Sequence, residues 1–282
     1  MKSFRICIQN IRKWNSNPRI WMTFILALLF SYLYTKGLSV ACEYVEEDMS
    51  PWLYPFLFTY RYMKIIFMFP VVFIFCDAPF IDENQPYVML RTRRITWSIG
   101  QVMYIYAGSF LYMLFLVLSS VIVNIGHIEM TASWGEVLGL CGSTNILSQA
   151  GVNYGTVKVM GSIIKYFTPL QAMFFSCLLT WMSFVITGLV IYAFNVITNT
   201  RYAGVAIASF LILLTAVVDG NGKMTWYSPI SWNSLNNIDV GGMSSYPDID
   251  YVMGMYMLLI IILTILSVIA GKRQSVEVRM AS

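Results

Sequence analysis

Six apolar segments, separated by polar ones, follow one another along the chain. They cover residues 20–40, 57–76, 102–123, 170–197, 203–218 and 251–270. A helix needs about 20 mostly apolar residues to cross a bilayer, and the short fifth segment is the weakest of the six. The pattern predicts an all-α membrane protein with six transmembrane helices in one transmembrane domain, 1–282, and with long polar loops at 124–168 and 219–250.

Residues 1–17 have the pattern of an amphipathic helix. Apolar residues recur at helical spacing, at Phe4, Ile8, Ile11 and Trp14. Basic residues fill other positions: Lys2, Arg5, Arg12 and Lys13. Such a helix lies in the membrane interface with its basic residues towards anionic lipid. The alternative is an ordinary basic flank of the first span.

The composition is that of a protein with several membrane spans. Hydrophobic residues make up 58% of the chain and charged residues 11%, whereas a soluble domain carries roughly 25% charge. Six spans and their loops use the whole of the 282 residues. The chain therefore leaves no room for a separate catalytic or nucleotide-binding domain of about 100 residues.

Lysine and arginine are unevenly distributed between the two sets of loops, which indicates orientation in the membrane. One set, with both termini and the segment 77–101, carries twelve of them: Lys2, Arg5, Arg12, Lys13, Arg19, Arg91, Arg93, Arg94, Arg201, Lys272, Arg273 and Arg279. The other set carries four: Lys36, Lys158, Lys165 and Lys223. We predict a multi-pass protein of a bacterial cell membrane, with both termini and 77–101 in the cytoplasm and 124–168 and 219–250 outside.

Two charged residues interrupt the second apolar segment. Arg61 and Lys64 are three apart, so they share a helical face near the outer end of that span. They are able to reach the headgroups by snorkelling or to pair with the acidic loop at 43–48. A contribution to a substrate path is the functional alternative.

A substrate path through the spans would be lined by polar side chains. The candidates are Tyr32, Thr35, Tyr60, Arg61, Lys64 and Thr187. Helix packing or lipid contact is the alternative role for each of them. Small residues in the fourth and fifth spans allow close helix approach, at Gly188, Gly204, Ala206 and Ala208.

The sequence offers no recognisable catalytic centre. Its one histidine, His127, has no second His or Cys at metal-ligand spacing, and there is no Walker-type phosphate loop. The five cysteines are scattered; Cys42 and Cys141 either form a disulfide or remain free thiols. No acidic residue falls deep in a predicted span, where a proton- or sodium-coupled carrier needs one. We expect a chain that is not an enzyme, binds no metal, cofactor or nucleic acid, and takes its energy from elsewhere.

The polar segment 77–101 resembles the inner loop between the second and third spans of ABC-2 type export permeases. The resemblance rests on Asp77, Ala78, Pro79, Phe80, Tyr87, Leu90, Arg91, Thr92, Arg93, Arg94, Trp97, Gly100 and Gln101, and on the run Ser-Pro-Ile-Ser-Trp at 228–232. In such permeases this loop is a cytoplasmic coupling helix. It docks a separate ATP-binding cassette ATPase, and two permease subunits pair as a homodimer or heterodimer.

The resemblance implies a coupling role for eight of the matching residues and a place for the cofactor. ATP and Mg²⁺ would bind the partner ATPase, and the coupling residues here would be Asp77, Phe80, Tyr87, Leu90, Arg91, Arg93, Arg94 and Trp97. Tyr87, Leu90 and Trp97 would insert into a groove of the partner, and the arginines would pair with its acidic residues. Anchoring of the loop to membrane lipid is the alternative role.

The resemblance implies an ATP-driven exporter of a hydrophobic or amphipathic substrate such as a peptide, toxin or lipid. A second possibility is a non-transporting sensor or immunity protein that binds an extracellular peptide through the long outer loops. A membrane enzyme acting on lipid is a third, and the lone His127 argues against it.

Overall fold

The computed structural model describes residues 2–80, 92–152, 156–242 and 244–273. Within these ranges the secondary structure is helical, with isolated bridges joining Met49 to Ile128 and Asp239 to Asp248. The helices are α1 Lys2–Arg12, α2 Pro18–Val45, α3 Arg61–Phe75, α4 Arg94–Ile122, α5 Gly135–Ser143, α6 Ile146–Gln149, α7 Gly161–Tyr166, α8 Pro169–Thr198, α9 Ala203–Val218, α10 Gly222–Thr225 and α11 Ile249–Arg273.

Four of these helices are long and apolar enough to cross a membrane: α2, α4, α8 and α11. This confirms the predicted all-α class, and the four helices are consistent with the predicted membrane protein. Two more helices lie within predicted spans but are shorter than the four long helices: α3, with 15 residues inside the predicted span 57–76, and α9, with 16 residues, which matches the predicted span 203–218. The count of six spans therefore stays a prediction.

The ends of the long helices follow from local sequence. Asn17 accepts a hydrogen bond from the Arg19 backbone at the start of α2, and Pro18 occupies the first turn, where its missing N–H costs nothing. At the start of α8, Thr168 and Gln171 cap each other reciprocally. Asn199 ends α8 in the left-handed conformation (φ 53°), which asparagine tolerates well.

The bundle contains six longer helices, which run in alternating directions between its two ends: α2, α3, α4, α8, α9 and α11. α2, α4 and α9 begin at the end that also holds α1, which we call the N-terminal end; α3, α8 and α11 finish there. The centre is α8, which packs against α3, α4, α9 and α11. In its most apolar window 72% of residues are buried inside the bundle, against 22% for α11, so α8 serves as the core helix and α11 presents most of its surface outwards.

Glycine lets the core helices approach closely, as the sequence predicted. A Cβ atom on Gly188 would lie 2.6 Å from Ile105 of α4, and one on Gly204 would overlap the carbonyl oxygen of Ile191 in α8. Ala208 is buried as well. Ala206 is exposed, so it takes no part in these contacts.

Gly204→Ala is expected to destabilise the protein by about 1–3 kcal/mol, because the added methyl group forces α9 away from the α8 backbone. The matched control is Gly254→Ala in α11, where a Cβ would meet no atom within 4 Å. The thermal unfolding midpoint in detergent measures both. Equal midpoints for the two variants would contradict the close contact between α8 and α9.

The N-terminal helix α1 packs along the first turns of α4. Ser3 Oγ donates to the Thr96 carbonyl (2.9 Å), and Asn10 Nδ2 donates to Gln101 Oε1 (2.6 Å). A Cβ on Gly100 would lie 2.8 Å from Ile6. Helix α1 lies within the predicted amphipathic segment 1–17, and part of its surface packs against α4. Its position in the membrane interface stays a prediction.

All five cysteines are free thiols, which decides between the two alternatives for Cys42 and Cys141. Burial raises the pKa of the Cys141 thiol to about 11. It therefore stays protonated and unreactive at neutral pH.

Candidate functional site

The chain leaves α3 through a tight turn at residues 77–80, which we call the corner. The Ala78 N–H donates to the Phe75 carbonyl (3.0 Å), and the Phe80 N–H donates to the Asp77 carbonyl (2.8 Å). Phe80 itself has a left-handed backbone (φ 58°), which is uncommon for a bulky residue. The corner ends where segment 81–91, outside the described residues, begins.

Phe80 seats the corner between two core helices. Its ring is nearly buried and meets Tyr104 of α4 edge-on, with 4.8 Å between ring centroids. It also stacks on Tyr192 of α8 at 6.5 Å. Edge-to-face and offset-stacked pairs add about 0.5–1.5 kcal/mol each to the gain from burial, so the corner is held on both sides.

Asn195, near the end of α8, ties the corner to α9. Its Nδ2 donates to the carbonyls of Ala78 (3.0 Å) and Arg201 (3.2 Å), and its Oδ1 accepts from the Gly204 N–H (2.8 Å). One buried side chain thus satisfies backbone groups from the corner, the turn after α8 and the first turn of α9. The three segments have to move together or lose these bonds.

Asp77 connects the corner to α2. Both Nη atoms of Arg19 donate to its carboxylate, one of them to Oδ1 at 3.0 Å. The two side chains are 35% and 57% exposed, so the pair contributes at most about 1 kcal/mol. Its bidentate geometry nevertheless gives the corner a defined position relative to α2.

The returning end of segment 81–91 is held equally firmly. Trp97 is fully buried, and Ser98 Oγ donates to the Ser267 carbonyl of α11 (3.2 Å) and lies 3.3 Å from Tyr192 Oη. Arg93 and Arg94 precede this anchor and are exposed. Helix α4 begins at Arg94, so the part of the predicted loop from 94 to 101 is helical.

The predicted coupling residues therefore fall into three groups. Phe80 and Trp97 are buried anchors, Arg93 and Arg94 are exposed, and the half-exposed Asp77 is paired with Arg19. Insertion of Trp97 into a groove of a partner does not fit its burial inside this chain. Tyr87, Leu90 and Arg91 lie outside the described residues, and their role stays a prediction.

The predicted substrate-path residues are not gathered around one cavity. Thr35 and Thr187 are enclosed in helix packing, where their hydroxyls donate to the carbonyls of Ser31 and Ser183 (2.9 Å each). Tyr32 and Tyr60 lie on the outside of the bundle. Arg61, also exposed, donates to the Ala216 carbonyl (3.2 Å).

Lys64 forms a buried ion pair at the opposite end of the bundle. Its Nζ lies 2.7 Å from Asp219 Oδ2, with the two side chains 0% and 8% exposed. Nζ also donates to the Ser231 carbonyl (3.1 Å). The pair thus joins the first turn of α3, the end of α9 and the 3₁₀ turn Ser231–Asn233.

Sequence reasoning missed this pairing. Lys64 neither snorkels nor pairs with the acidic loop at 43–48; Asp219, assigned to a polar loop, is its partner. The available signal was an acid directly after an apolar helix and a lysine in the first turn of another, but nothing local connects positions so far apart along the chain.

The run at 228–232 covers the ion pair. Trp232 is buried and its Nε1 donates to the Thr225 carbonyl (2.6 Å). Tyr256 of α11 donates to the Pro229 carbonyl (2.7 Å). The run therefore packs against the start of α3 and the end of α9 and is not an exposed loop.

The described residues contain no group of three His, Cys, Asp or Glu side chains placed to hold a metal ion. Comparisons of the chain with family models, with curated proteins and with solved structures find no match.

Proposed function

We propose that this chain is the permease subunit of an ATP-driven exporter of the ABC-2 type, which moves a hydrophobic or amphipathic substrate outward. The observation that carries the proposal is the way in which the bundle holds both ends of segment 81–91. The corner contacts α2, α4 and α8, and the returning end is anchored on α8 and α11. We call this set of contacts, made by the corner and by Trp97 and Ser98, the mount. A segment that only needed to anchor to lipid would not require such contacts with the bundle.

The mount suits the transmission of force from a separate ATPase. A partner docked on segment 81–91 and on the exposed Arg93 and Arg94 would push the corner. Because Phe80 is wedged between Tyr104 and Tyr192, and Asn195 links the corner to α9, that push would reach α4, α8 and α9 together. Close-packed interiors transmit such displacements instead of absorbing them.

Six spans with both termini in the cytoplasm complete the proposal. The short α3 rises only about 22 Å, less than the roughly 30 Å hydrocarbon layer. The 3₁₀ turn Tyr54–Phe56 before it is buried inside the protein and would supply the remaining depth. Irregular backbone at membrane depth is tolerated where protein encloses it.

The buried Lys64–Asp219 pair would close the route at the outer end. Opening a path beside α3 and α9 requires that the pair separates or moves as a unit, since neither charge is stable alone in a dry interior. In the closed arrangement each charge of the pair already has its partner.

The docking claim is tested by co-expressing the chain with any ATP-binding cassette ATPase that a neighbouring gene encodes and measuring co-purification. Tyr87→Ala with Arg93→Glu is expected to reduce the recovered ATPase at least tenfold, because both the apolar and the ionic contact are lost. The matched control is Tyr202→Ala with Arg201→Glu, exposed residues at the same end of the bundle. An unchanged complex would overturn the docking site.

The rival function predicts a different pattern in the same cells. A sensor or immunity protein would bind its extracellular peptide, or protect the cell, with the ATPase gene deleted. Activity that persists without any ATPase would replace the exporter proposal.

A further inference from the structure

Buried hydroxyl groups that make no hydrogen bond with any described residue lie in the half of the bundle that holds the Lys64–Asp219 pair. Three of them belong to Tyr54, in the 3₁₀ turn before α3, and to Ser176 and Thr180 of α8. Tyr54 and Thr180 are 0% exposed and Ser176 is 3% exposed. An unpaired polar group in a dry interior is costly, and native proteins keep few of them.

Another hydroxyl of α8 shows the usual arrangement. A serine or threonine inside a helix commonly bonds its hydroxyl back to a carbonyl of the preceding turn, and Thr187 does so, donating to the Ser183 carbonyl (2.9 Å). Ser176 and Thr180 make no such bond. They are four residues apart and therefore share one face of the helix. On that face, two hydroxyl groups keep their capacity to donate and to accept unused.

Tyr54 brings a third hydroxyl group to α8. The turn Tyr54–Phe56 packs against α8 and α4, and the Tyr54 hydroxyl faces Thr180. The two groups nevertheless make no hydrogen bond of ordinary geometry. Hydroxyls from two different elements thus lie side by side without being bonded, and we call Tyr54 and Thr180 the hydroxyl pair.

Aromatic side chains pack beside the hydroxyl pair. The Phe58 ring lies 6.1 Å from the Tyr54 ring, 5.9 Å from the Phe67 ring and 6.3 Å from the Phe184 ring, measured between centroids. All four rings are buried. The region therefore combines uncharged groups that both donate and accept hydrogen bonds with a broad apolar surface.

We propose that Tyr54, Thr180 and Ser176 are the hydrogen-bonding contacts that the bundle offers to its cargo, and that this cargo is a peptide. The inference rests on the proposed function, because it names the cargo class of the exporter. A peptide backbone presents N–H donors and C=O acceptors, which match the hydroxyls, while apolar side chains match the phenylalanine rings. A lipid tail has no group that pairs with the hydroxyls.

The backbone before α3 allows the hydroxyl pair to open. The 3₁₀ turn Tyr54–Phe56 and the turns that follow it up to Tyr60 belong to no long helix, so changes in a few dihedral angles would separate them from α8. Water or cargo would then bond to the freed hydroxyls, which lowers the cost of the movement. The four long helices keep their packing in such a movement.

The first test measures whether the hydroxyl pair becomes accessible to water. Thr180→Cys and the control Leu179→Cys are made in a Cys177→Ala chain, since Cys177 lies close to Tyr54 and positions 179 and 180 are both 0% exposed. The purified full-length chain in lipid vesicles is treated with anionic sulfonatoethyl methanethiosulfonate or with lipophilic N-phenylmaleimide. Site-resolved mass spectrometry follows the modification.

The anionic reagent is expected to modify Thr180→Cys at least about tenfold faster than Leu179→Cys, because a sparsely populated open conformation exposes only the polar face of α8 to water. Equal rates for the two variants would overturn the proposal. Modification of Thr180→Cys by the lipophilic reagent alone would show that the region opens to lipid, which would overturn the peptide assignment.

A protection measurement tests the cargo class directly. A synthetic amphipathic peptide of leucine and lysine, added in excess, should slow the modification of Thr180→Cys severalfold, whereas oleate should not. Slowing by oleate, or by neither probe, would overturn the peptide assignment.

Thermal unfolding tests whether the Tyr54 hydroxyl is unpaired in the closed bundle. Tyr54→Phe should leave the midpoint unchanged or raise it, because no hydrogen bond is lost. The matched control is Tyr112→Phe, which removes a hydroxyl that donates to the Phe67 carbonyl (3.1 Å) and should lower the midpoint. An equal fall in both variants would overturn the proposal.

These measurements need no ATPase, so they fail separately from the docking experiment. If the anionic reagent never reaches position 180 while an ATPase co-purifies, the exporter proposal stands and the peptide contacts are wrong. If no ATPase docks but the peptide protects Thr180→Cys, the hydroxyl pair is a peptide site in a protein that is not an ABC exporter.

Discussion

Lys64→Met is expected to destabilise the protein by about 3–5 kcal/mol, the cost of removing one member of a buried ion pair. The Asp219 carboxylate would remain enclosed without a countercharge, and its Oδ1 already lacks a hydrogen-bond partner among the described residues. The Ser231 carbonyl would lose the lysine as well, although it keeps the Asn237 amide at 2.9 Å. Methionine fills nearly the same volume, so the effect reports charge and not a cavity.

The double variant Lys64→Met with Asp219→Leu is expected to recover most of this loss. Replacing both charges of a buried pair by apolar side chains of similar size is often neutral or stabilising. Lys158→Met is the matched control, since Lys158 is exposed and the same substitution should have little effect there. Thermal unfolding in detergent and yield from the membrane are the measurements.

Two outcomes would contradict the buried pair. One is a Lys64→Met protein as stable as the Lys158→Met control. The other is a double variant with the summed loss of its two single variants, which would mean that Lys64 and Asp219 act independently.

Asn195→Ala is expected to cost about 2–5 kcal/mol, because a single truncation leaves three backbone groups without their partners. The Ala78 and Arg201 carbonyls and the Gly204 N–H all bond to this one amide. Alanine would also leave a small void beside the α9 backbone. The corner and α9 would then be free to move separately.

Asn145→Ala is the control for this substitution. Asn145 is exposed and its side chain makes no capping bond at the start of α6, so the same exchange should be nearly neutral. Thermal unfolding measures the stability of both variants. In complex with an ATPase, Asn195→Ala should in addition reduce transport more than it reduces co-purification, because the docking surface is intact while its connection to α9 is not.

A different relation between the loss of transport and the loss of co-purification would contradict the proposed role of the mount. Equal losses of transport and co-purification would point to general unfolding, and an unchanged thermal midpoint would show that the three hydrogen bonds are not needed. Asn195→Asp offers an intermediate case. It keeps an acceptor for Gly204 but replaces the amide donor that serves Ala78 and Arg201.

Local sequence was sufficient for helices whose ends carry their own signals. The predicted segment 170–197 differs by one residue at each end from α8, which has a capping box at its start and Asn199 at its end. The segment 203–218 coincides with α9, which has no side-chain cap and is bounded by its apolar run alone. Capping residues and prolines act within one turn, so they are readable without knowledge of the fold. The close approach at Gly188 and Gly204 was readable for a similar reason: residues without a Cβ inside an apolar helix have few other uses.

The start of α4 could not be read in this way. Residues 94–101 contain Thr96, Ser98 and Gln101, and were assigned to a polar loop. In the folded chain the Gln101 side chain accepts from Asn10 of α1, and the Ser98 hydroxyl donates to the Ser267 carbonyl of α11. Ser3 of α1 donates to the backbone carbonyl of Thr96. The polar side chains of Ser98 and Gln101 are therefore compatible with a packed helix. Their partners lie about 90 or more residues away along the chain, beyond the reach of any local pattern.

The amino-acid sequence by itself determined the all-helical class, the apolar character of the long helices and their approximate positions, because all three depend on hydropathy and spacing within a few turns. Tertiary structure alone decided that Lys64 pairs with Asp219, that Trp97 is an anchor inside the chain, and that Asn195 joins the corner to α9. Each of these depends on which polar groups share a dry interior. Since an unpaired group there is costly, the partner is set by the packing of distant helices and not by neighbours in the sequence.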